Sequence, residues 1–321
     1  MTCYWPLPAR KTICPVSGAY GVKVYKREEE DKGNFKVSCG QCLGCRLERS
    51  RQWAMRCMHE AEQYENNCFV TLTYNDDEMP YSLVVKDVQN FMKKLRTKYY
   101  PKKIRFYLCG EHAPITDEYG RTIKDNKKRE LKGRPHYHIL LFGHDFEDKQ
   151  KWKVKNGHQL YRSDKLDKIW KKGYGLIGQI SFESAAYVAR YIMKKYLGGT
   201  KEDNDKIYNN RIKEFTTMSR GGRGDDGKNL GGIGKRWIEK YGTGVYASDR
   251  VIVKGQEVMP AKYYDKIFDI NEPEILEQIK KNREEEALKK IEDNTQYRLE
   301  TKEICKKAQI TSLTRNLERD I

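Results

Sequence analysis

No stretch of this 321-residue chain is apolar over a length that could cross a lipid bilayer. The first residues, MTCYWPLPARK, also lack the apolar core of a secretion signal. Hydrophobic residues make up 38% of the sequence and charged residues 34%, which is a polar but globular balance. We therefore expect one large domain or two smaller ones, without membrane contact, working in the cytoplasm.

A phosphate-binding loop is also missing. The segment GRGDDGKN, residues 222–229, imitates one, but it ends in Asn229 where a Ser or Thr hydroxyl should hold magnesium. The residues before it, TTMSRG, are not the apolar strand that such a loop follows. We therefore expect no nucleotide binding and no helicase domain, and we interpret the Gly-rich segment as a flexible loop that faces DNA.

Acidic residues are fewer than basic ones, with 46 Asp and Glu against 63 Lys and Arg, so the net charge is +17. Residues 271–321 contain 11 basic and 12 acidic residues, so the excess lies in the first 270 residues and not in a tail. A merely solubilising surface is the alternative explanation. An excess of this size favours nucleic acid as the partner, held against a shaped surface.

Nine cysteines, an odd number, without a secretion signal argue against a disulfide framework. Three of them form a C-x-x-C-x-x-C pattern at Cys39, Cys42 and Cys45. Thiolates at this spacing can hold one structural zinc ion, although a set of four needs one more ligand. Cys3 is the first candidate for that ligand and Cys14 the second. A redox role, plain buried thiols and an iron–sulfur site stay open as alternatives.

Alternation and helical periodicity predict the order β, α, β, long loop, β, α, β, α over the middle of the chain. Strands are expected at CFVTLTY (68–74), IRFYLCGE (104–111), PHYHILLFG (135–143) and GLIGQIS (175–181). Helices are expected at LVVKDVQNFMKKLR (83–96), around DKLDKIW (164–170) and at SAAYVARYIMKKY (184–196). VYASDRVIVKGQEVMP (245–260) looks like a hairpin that turns at Lys254 and Gly255.

Strands that follow one another in this order would pair antiparallel. The sequence therefore predicts an α+β fold, with a central antiparallel β-sheet and helices packed on one of its faces. Four segments are expected along the chain. They are an N-terminal Cys-rich element with a helix (1–66), a core (67–200), a Gly-rich loop and hairpin that extend the core (201–270), and a charged helical tail (271–321).

Two of the six histidines, His136 and His138, lie two residues apart at the start of an apolar run. In a strand their side chains project to the same side, while Tyr137 and its alternating neighbours point into the core. Glu111 ends the preceding strand, where antiparallel pairing could set it beside the two imidazoles. Two histidines and a carboxylate suit a divalent ion, Mg²⁺ or Mn²⁺, that must also bind substrate. The alternative is an ordinary pair of partly buried histidines.

The helix YVARYIMKKY offers a second set of candidate residues. Tyr187 and Tyr191 are four residues apart and share a helix face, and Lys194 follows three residues later on that face. A separate face, which includes Val188 and Tyr196, suits the core. The alternative is an ordinary amphipathic helix with tyrosines at its edge. A tyrosine nucleophile, a metal that polarises a phosphodiester and a lysine that stabilises charge together describe a DNA-nicking transesterase.

The histidine pair, the strand FVTLTY upstream of it and a helix bearing Tyr-x-x-x-Tyr resemble the HUH endonucleases. At a closer level CGQCLGCRLERSRQWAMRC, GRPHYHILLFG, YVARYIMKK and GGIGKRW resemble the replication initiators of the gokushovirus branch of the microviruses. The resemblance extends from about Cys3 to about Asp265.

This resemblance implies an HUH endonuclease fold and nicking of origin DNA in the cytoplasm of a bacterial host cell. It implies His136, His138 and Glu111 as metal ligands and Tyr187 and Tyr191 as nucleophiles. The nick would leave tyrosine joined to a 5′ phosphate and a 3′ hydroxyl group that primes rolling-circle synthesis. Single-stranded and supercoiled origin DNA are then the expected substrates, and host helicase and DNA polymerase the expected partners.

Three alternatives stay open at this point. Tyr191 with Lys194 also fits the Tyr-x-x-Lys arrangement of single-tyrosine relatives, so Tyr191 could be the sole nucleophile. An HUH transposase or plasmid relaxase would share the site but not the cysteine and GGIGKRW features. A non-catalytic, zinc-containing DNA-binding protein would form no covalent adduct with DNA.

Overall fold

The structure is a computed structural model that describes residues 3–13, 18, 20–114, 132–155, 157–194, 211–224, 226–227 and 229–318. It divides into two compact units. The smaller unit consists of residues 1–49 and 280–320, and the larger of residues 50–279. The four segments expected from the sequence stay predictions.

Twelve strands can be assigned among the described residues. In chain order they are β1 (Leu7–Ile13), β2 (Tyr20–Val24), β3 (Phe35–Val37), β4 (Asn67–Tyr74), β5 (Arg105–Pro114), β6 (Lys132–Phe142), β7 (Gln150–Lys155), β8 (His158–Arg162), β9 (Gly173–Gly178), β10 (Phe215–Met218), β11 (Val251–Val253) and β12 (Gln256–Val258).

Helices connect and cover these strands. The α-helices of the described residues are α1 (Leu43–Ala61), α2 (Val85–Lys98), α3 (Asp164–Trp170), α4 (Phe182–Lys194), α5 (Lys235–Ser248), α6 (Lys262–Asn271), α7 (Pro273–Leu288) and α8 (Gln296–Glu318). Short 3₁₀ helices span Arg27–Lys32 and Glu292–Asn294. No helix among the residues that the structure describes is both long enough and apolar enough to span a membrane.

A seven-stranded antiparallel sheet forms the centre of the larger unit, in the order β10–β5–β6–β4–β9–β8–β7. The predicted α+β fold with an antiparallel sheet is therefore confirmed. Strand β4 illustrates why these residues form strands, because its side chains alternate between buried and half-buried along NCFVTLTY. Strands β5, β6 and β4, which were predicted from such alternation, lie side by side in the middle of the sheet.

The helices cover both faces of the sheet, so the prediction that they pack on one face is wrong. On one face Tyr137, Ile139 and Leu141 of β6 belong to a core that includes α2 and α3. On the other face Leu140 and Phe142 pack in a second core that includes α1 and α4. The run HILLF has no polar alternation after His138, and a continuous apolar run is typical of a strand that is buried on both sides.

A third core lies around α5 and α6, and it corrects the predicted hairpin. Val245 and Tyr246 end helix α5 and do not start a strand, because the Tyr246 ring stacks on Phe268 of α6 with centroids 4.1 Å apart. The second half of the predicted hairpin is confirmed. Strands β11 and β12 pair antiparallel, and the turn between them lies at Lys254 and Gly255.

A buried ion pair holds the Gly-rich segment at both ends. Arg105 Nε donates to Glu60 Oε1 at 2.6 Å, and both side chains are almost fully buried. The Arg105 guanidinium also donates to the carbonyl oxygens of Gly221 and Gly231, at 3.2 and 2.9 Å. Glu60 Oε2 accepts the backbone N–H of Gly234 at 2.7 Å. The segment is thus anchored to the sheet at its ends, and its predicted DNA contact stays a prediction.

The smaller unit contains a three-stranded antiparallel sheet in the order β2–β1–β3 and helix α8. Trp5 Nε1 donates to Glu303 Oε2 of α8 at 2.9 Å, and Leu299 of the same helix is buried. The three strands were not predicted. All five side chains of β2 are exposed, so the strand has no alternation of buried and exposed residues to recognise.

His59 of α1 lies in the third core of the larger unit. Its ring stacks on Trp237 with centroids 3.5 Å apart, and its Nδ1 atom lies 2.8 Å from the Tyr264 hydroxyl oxygen. Burial lowers the pKa of His59 from 6.5 to about 3, because the charged imidazolium would lose its hydration there. In the unfolded chain the same side chain takes up a proton at its ordinary pKa.

We expect the free energy of unfolding to fall as the pH is lowered from about 6.5 towards 3. Over that range the unfolded state binds a proton at His59 and the folded state does not, which costs up to roughly 1.4 kcal/mol per pH unit. Urea unfolding at several pH values measures this dependence. His59→Gln should show a shallower pH dependence than the wild type, whereas the exposed control His158→Gln should match it. An equal slope for wild type and His59→Gln would contradict the assignment.

Candidate metal centre in the large sheet

Glu111, His136 and His138 come together on one face of the large sheet. Strands β5 and β6 pair with Glu111 directly opposite His136 and Cys109 opposite His138. Both histidines direct Nε2 at the same carboxylate oxygen, Glu111 Oε1, at 2.5 Å from His136 and 3.1 Å from His138. The two imidazole rings are perpendicular, with centroids 4.8 Å apart.

The carboxylate lies in a buried position that burial alone would make unfavourable for its charge. Burial raises the pKa of Glu111, but hydrogen bonds from His136 and His138 outweigh burial and lower that pKa to about 2. Glu111 is therefore an anion, and the imidazole N–H groups donate to it. Its second oxygen, Oε2, is buried without a hydrogen-bond partner among the described residues.

These atoms fit the requirements of a divalent cation. One ligand atom from each of the three residues lies within 4.8 Å of the others, in the part of the chain that the structure describes. A carboxylate with an unpaired buried oxygen and two imidazoles form a donor set that binds first-row metals and leaves coordination positions for substrate. Their role as ligands stays a prediction.

Neighbouring side chains orient His138. The hydroxyl oxygen of Thr71 lies 2.9 Å from His138 Nδ1, so that Nε2 points towards Glu111. The ring of Phe69 stacks on the imidazole of His138, with centroids 5.6 Å apart and an angle of 10° between the planes. Thr71 pairs with His138 across β4 and β6, and sequence reasoning missed it because strand pairing was unknown.

His112 is a further residue that the sequence reading passed over. It follows Glu111 in β5 and is buried, with Nε2 3.1 Å from the Ile212 carbonyl oxygen and Nδ1 3.4 Å from that of Gly133. Burial lowers its pKa below the usual value of 6.5. His112 therefore holds backbone beside the site and does not join the cluster of Glu111 and the two histidines.

Helix α4 brings Tyr187 to the cluster. The hydroxyl oxygen of Tyr187 lies 3.5 Å from Glu111 Oε1, and its ring meets the His138 ring edge-on with centroids 5.1 Å apart. Ala185, Val188 and Ala189 on the other side of the helix are buried in the second core. Tyr191 and Lys194 belong to α4, but their side chains lie outside the described residues, as does Tyr196.

Four cysteines form a second group in the smaller unit. Cys3, Cys39, Cys42 and Cys45 lie with their sulfur atoms within 4.8 Å of one another. The second candidate for the fourth position, Cys14, lies outside the described residues.

Comparison with known proteins gives three relatives and one family. The family described as replication-associated protein ORF2 matches residues 67–196. The replication-associated protein VP4 of Bdellovibrio phage phiMH2K is 30% identical over 259 residues, which are 78% of this chain and 72% of that protein. The replication-associated protein ORF2 of Spiroplasma virus 4 is 30% identical over 244 residues, 74% of this chain and 67% of that protein.

A third relative, the replication-associated protein ORF4 of Chlamydia phage 1, is 31% identical over 205 residues, 59% of this chain and 45% of that protein. No solved structure matches the chain. The matched family region contains both histidines, Glu111 and helix α4.

We expect one Mn²⁺ ion to bind at the Glu111 cluster, measured by calorimetry on the full chain. His138→Ala should abolish this binding because it removes a ligand. Thr71→Val should weaken it by roughly 10- to 100-fold, because the hydroxyl group that orients His138 is lost. Thr73→Val is the matched control, since the Thr73 hydroxyl donates to the Tyr174 carbonyl oxygen and not to a ligand. Unchanged Mn²⁺ affinity in His138→Ala would refute the site.

Proposed function

Since the chain belongs to the family of microvirus-type replication initiators, we propose that it starts rolling-circle replication by nicking one strand of origin DNA. A role in replication initiation follows from the family, and the nicking chemistry is the proposal. The observation that carries it is the position of Tyr187, with its hydroxyl oxygen 3.5 Å from Glu111 Oε1 at the edge of the two-histidine cluster. In this proposal residues 67–200 form a nuclease core with the HUH endonuclease fold.

The reaction is a transesterification at phosphorus. The tyrosine oxygen forms a bond to the scissile phosphorus while the bond from phosphorus to the 3′ oxygen breaks. The phenol proton is released to water, and the 3′ oxygen takes up a proton to become the hydroxyl group that primes synthesis. The 5′ end of the DNA stays joined to tyrosine through its phosphate until the strand is rejoined.

The residues around Tyr187 position its oxygen. A carboxylate is too weak a base to remove the proton of a phenol whose pKa is near 10, so Glu111 orients the hydroxyl group and does not deprotonate it. The edge-on contact with the His138 ring fixes the plane of the Tyr187 ring. A divalent ion, Mg²⁺ or Mn²⁺, held by Glu111, His136 and His138 would offset the negative charge of the scissile phosphate.

Two tyrosines on α4 fit the two strand transfers that rolling-circle replication requires. The first transfer opens the origin and leaves the protein on the 5′ end, and the second cuts the regenerated origin and closes the circle. Tyr191 follows Tyr187 by about one helical turn, roughly 6 Å along the axis. We propose that Tyr187 and Tyr191 alternate as nucleophiles and that Lys194 stabilises the phosphate or the tyrosinate. The alternative is that Tyr191 with Lys194 does all the chemistry.

The substrate in this proposal is single-stranded or supercoiled origin DNA in the cytoplasm of a bacterial host cell. Host helicase and DNA polymerase would supply unwinding and synthesis. Most of the DNA affinity would come from phosphate contacts of a chain with a net charge of +17.

We expect the purified chain, with Mn²⁺ or Mg²⁺, to form a covalent adduct on one of a set of single-stranded oligonucleotides that tile the phage genome. Tyr187→Phe and Tyr191→Phe should each still form some adduct but fail in repeated rounds on a circular template, and the double variant should form none. Mass spectrometry of the DNA-linked peptide should find both tyrosines. EDTA or His138→Ala should abolish the adduct while DNA binding persists.

Tyr100→Phe is the control, because Tyr100 is 81% exposed and lies outside the proposed site. If wild-type adducts map to Tyr191 alone and Tyr191→Phe forms none, alternation is wrong but nicking stands. If no oligonucleotide yields an adduct with either metal, the nicking function itself is wrong.

A further inference from the structure

We propose that Cys3, Cys39, Cys42 and Cys45 form a structural zinc centre that holds the smaller unit together. This site has no part in the proposed nicking reaction. Cys3 precedes β1, Cys39 and Cys42 lie between β3 and α1, and Cys45 lies in the first turn of α1. One ion would therefore join three separate stretches of backbone.

The sulfur geometry matches zinc and not a disulfide. Four thiolates at a Zn–S distance of about 2.3 Å form a tetrahedron whose sulfur atoms are roughly 3.8 Å apart. The Sγ atoms of Cys42 and Cys3 are 3.9 Å apart, and all four sulfur atoms lie within 4.8 Å of one another. A disulfide needs about 2.05 Å between its sulfur atoms, and all four cysteines are free thiols.

Backbone N–H groups converge on these sulfur atoms. Cys39 Sγ accepts from the N–H groups of Gln41 and Cys42, at 3.4 and 3.3 Å. Cys42 Sγ accepts from those of Tyr4 and Cys45, at 3.4 and 3.5 Å. A neutral thiol is a weak acceptor, so this number of donors suits thiolates, the form that binds metal.

The turn that aims these donors requires a glycine. Gly40 has a φ of +73°, which is in the left-handed region that other residues rarely adopt. It lets the backbone fold back so that the next two N–H groups point at Cys39 Sγ.

Apolar packing contributes little to the stability of the smaller unit. None of the three hydrophobic cores found among the described residues includes a residue of this unit. Small modules without a sufficient apolar core are commonly held by a metal or by disulfides. Next to Cys3, Trp5 donates its indole N–H to Glu303, so fixing Cys3 also fixes the residue that anchors α8.

Zinc content of the wild-type chain, purified under reducing conditions without added metal, tests the proposal directly. Elemental analysis should find about one zinc per chain. Cys39→Ser and Cys3→Ser should lose most of it and unfold at lower temperature, whereas Cys14→Ser and the exposed control Cys305→Ser should retain it. Should the serine variants fail to fold, mercurial titration of the wild type should release the zinc as four thiols react.

A folded wild-type chain with no zinc would overturn the proposal. Iron with its visible absorption band, in place of zinc, would overturn it as well. Zinc that is retained in Cys3→Ser but lost in Cys14→Ser would overturn the ligand set.

A second, independent observation concerns the outer strands of the large sheet, and it rests on the proposed nicking function. We infer that unpaired bases of single-stranded DNA stack on Trp152 and Tyr174, on the face that carries Glu111 and the two histidines. Trp152 is 59% exposed and Tyr174 is 55% exposed. Exposed aromatic rings among basic side chains are the surface on which single-stranded nucleic acid binds.

Strand register connects this surface to the site. Tyr174 of β9 pairs with Thr73, Thr73 pairs with His136, and His136 pairs with Glu111. Side chains of directly opposed residues in antiparallel strands point to the same face. Tyr174 therefore lies two strands away from His136, roughly 10 Å across the sheet.

Trp152 extends the same row to the edge strand. The register of β7 against β8 shifts between Lys151 and Lys153, so Trp152 is the extra residue of a bulge. The Arg162 guanidinium lies over both aromatic rings, 5.6 Å from the Trp152 centroid and 5.0 Å from that of Tyr174. It is held there by Asp167 Oδ2, which accepts from Arg162 Nη2 at 2.6 Å.

The charge of these outer elements favours a polyanion. Residues 150–178 contain eight lysines and arginines against two aspartates. Lys153 pairs with Leu160 and is exposed on the strand edge. Unpaired bases offer their faces to aromatic rings, whereas bases in a duplex are stacked on one another, so the ligand is the single strand.

Fluorescence anisotropy with the oligonucleotide that gives the adduct tests this inference. Trp152→Ala and Tyr174→Ala should each weaken binding by roughly 10-fold. Lys153→Gln should lower the salt dependence of binding by about one phosphate contact. The exposed control Tyr100→Ala should bind as the wild type does. At saturating DNA, Trp152→Ala and Tyr174→Ala should form the adduct at the wild-type rate.

Unchanged affinity in both aromatic variants would refute the stacking surface while leaving the nicking function intact. Wild-type protein that binds the oligonucleotides but forms no adduct would instead refute the nicking function. Equal weakening on duplex DNA of the same length would show that the surface does not select single strands, and the inference would fail.

Discussion

The register of β5 against β6 is the constraint on which the candidate metal centre depends. With Glu111 opposite His136, the carboxylate and both imidazoles share one face of the sheet. Side chains alternate with a period of two, so a slip of one residue would turn Glu111 to the opposite face. The apolar run after His138 prevents such a slip, because Tyr137, Ile139 and Leu141 fill one core while Leu140 and Phe142 fill the other.

Much of this arrangement could be predicted from sequence. The alternation of CFVTLTY, the helical spacing of Val88, Phe91 and Leu95, and the pair His136 and His138 each indicate a structure without knowledge of the fold. Glu111 could be proposed because it ends the strand before the histidines. These features are local, and local patterns are the part of a fold that a single sequence expresses most directly.

Other features depend on contacts between distant segments, which no local pattern contains. Thr71 looks like any polar residue of an alternating strand until pairing places it beside His138. Val245 and Tyr246 look like strand residues, yet they are helical because the third core buries them against Phe268. The placement of helices on both faces could have been inferred from the unbroken run HILLF, which leaves no side of β6 for solvent.

Strand β7 lies at the outer edge of the seven-stranded sheet, with Lys151, Lys153 and Lys155 along it and a bulge at Trp152. An edge strand carries unpaired backbone N–H and C=O groups, and a flat, apolar edge would invite another chain to add to it. Like charges and a local twist make that addition unfavourable. The three lysines therefore also protect the molecule from self-association, so a chain with a neutralised edge would be the first to aggregate as its concentration rises.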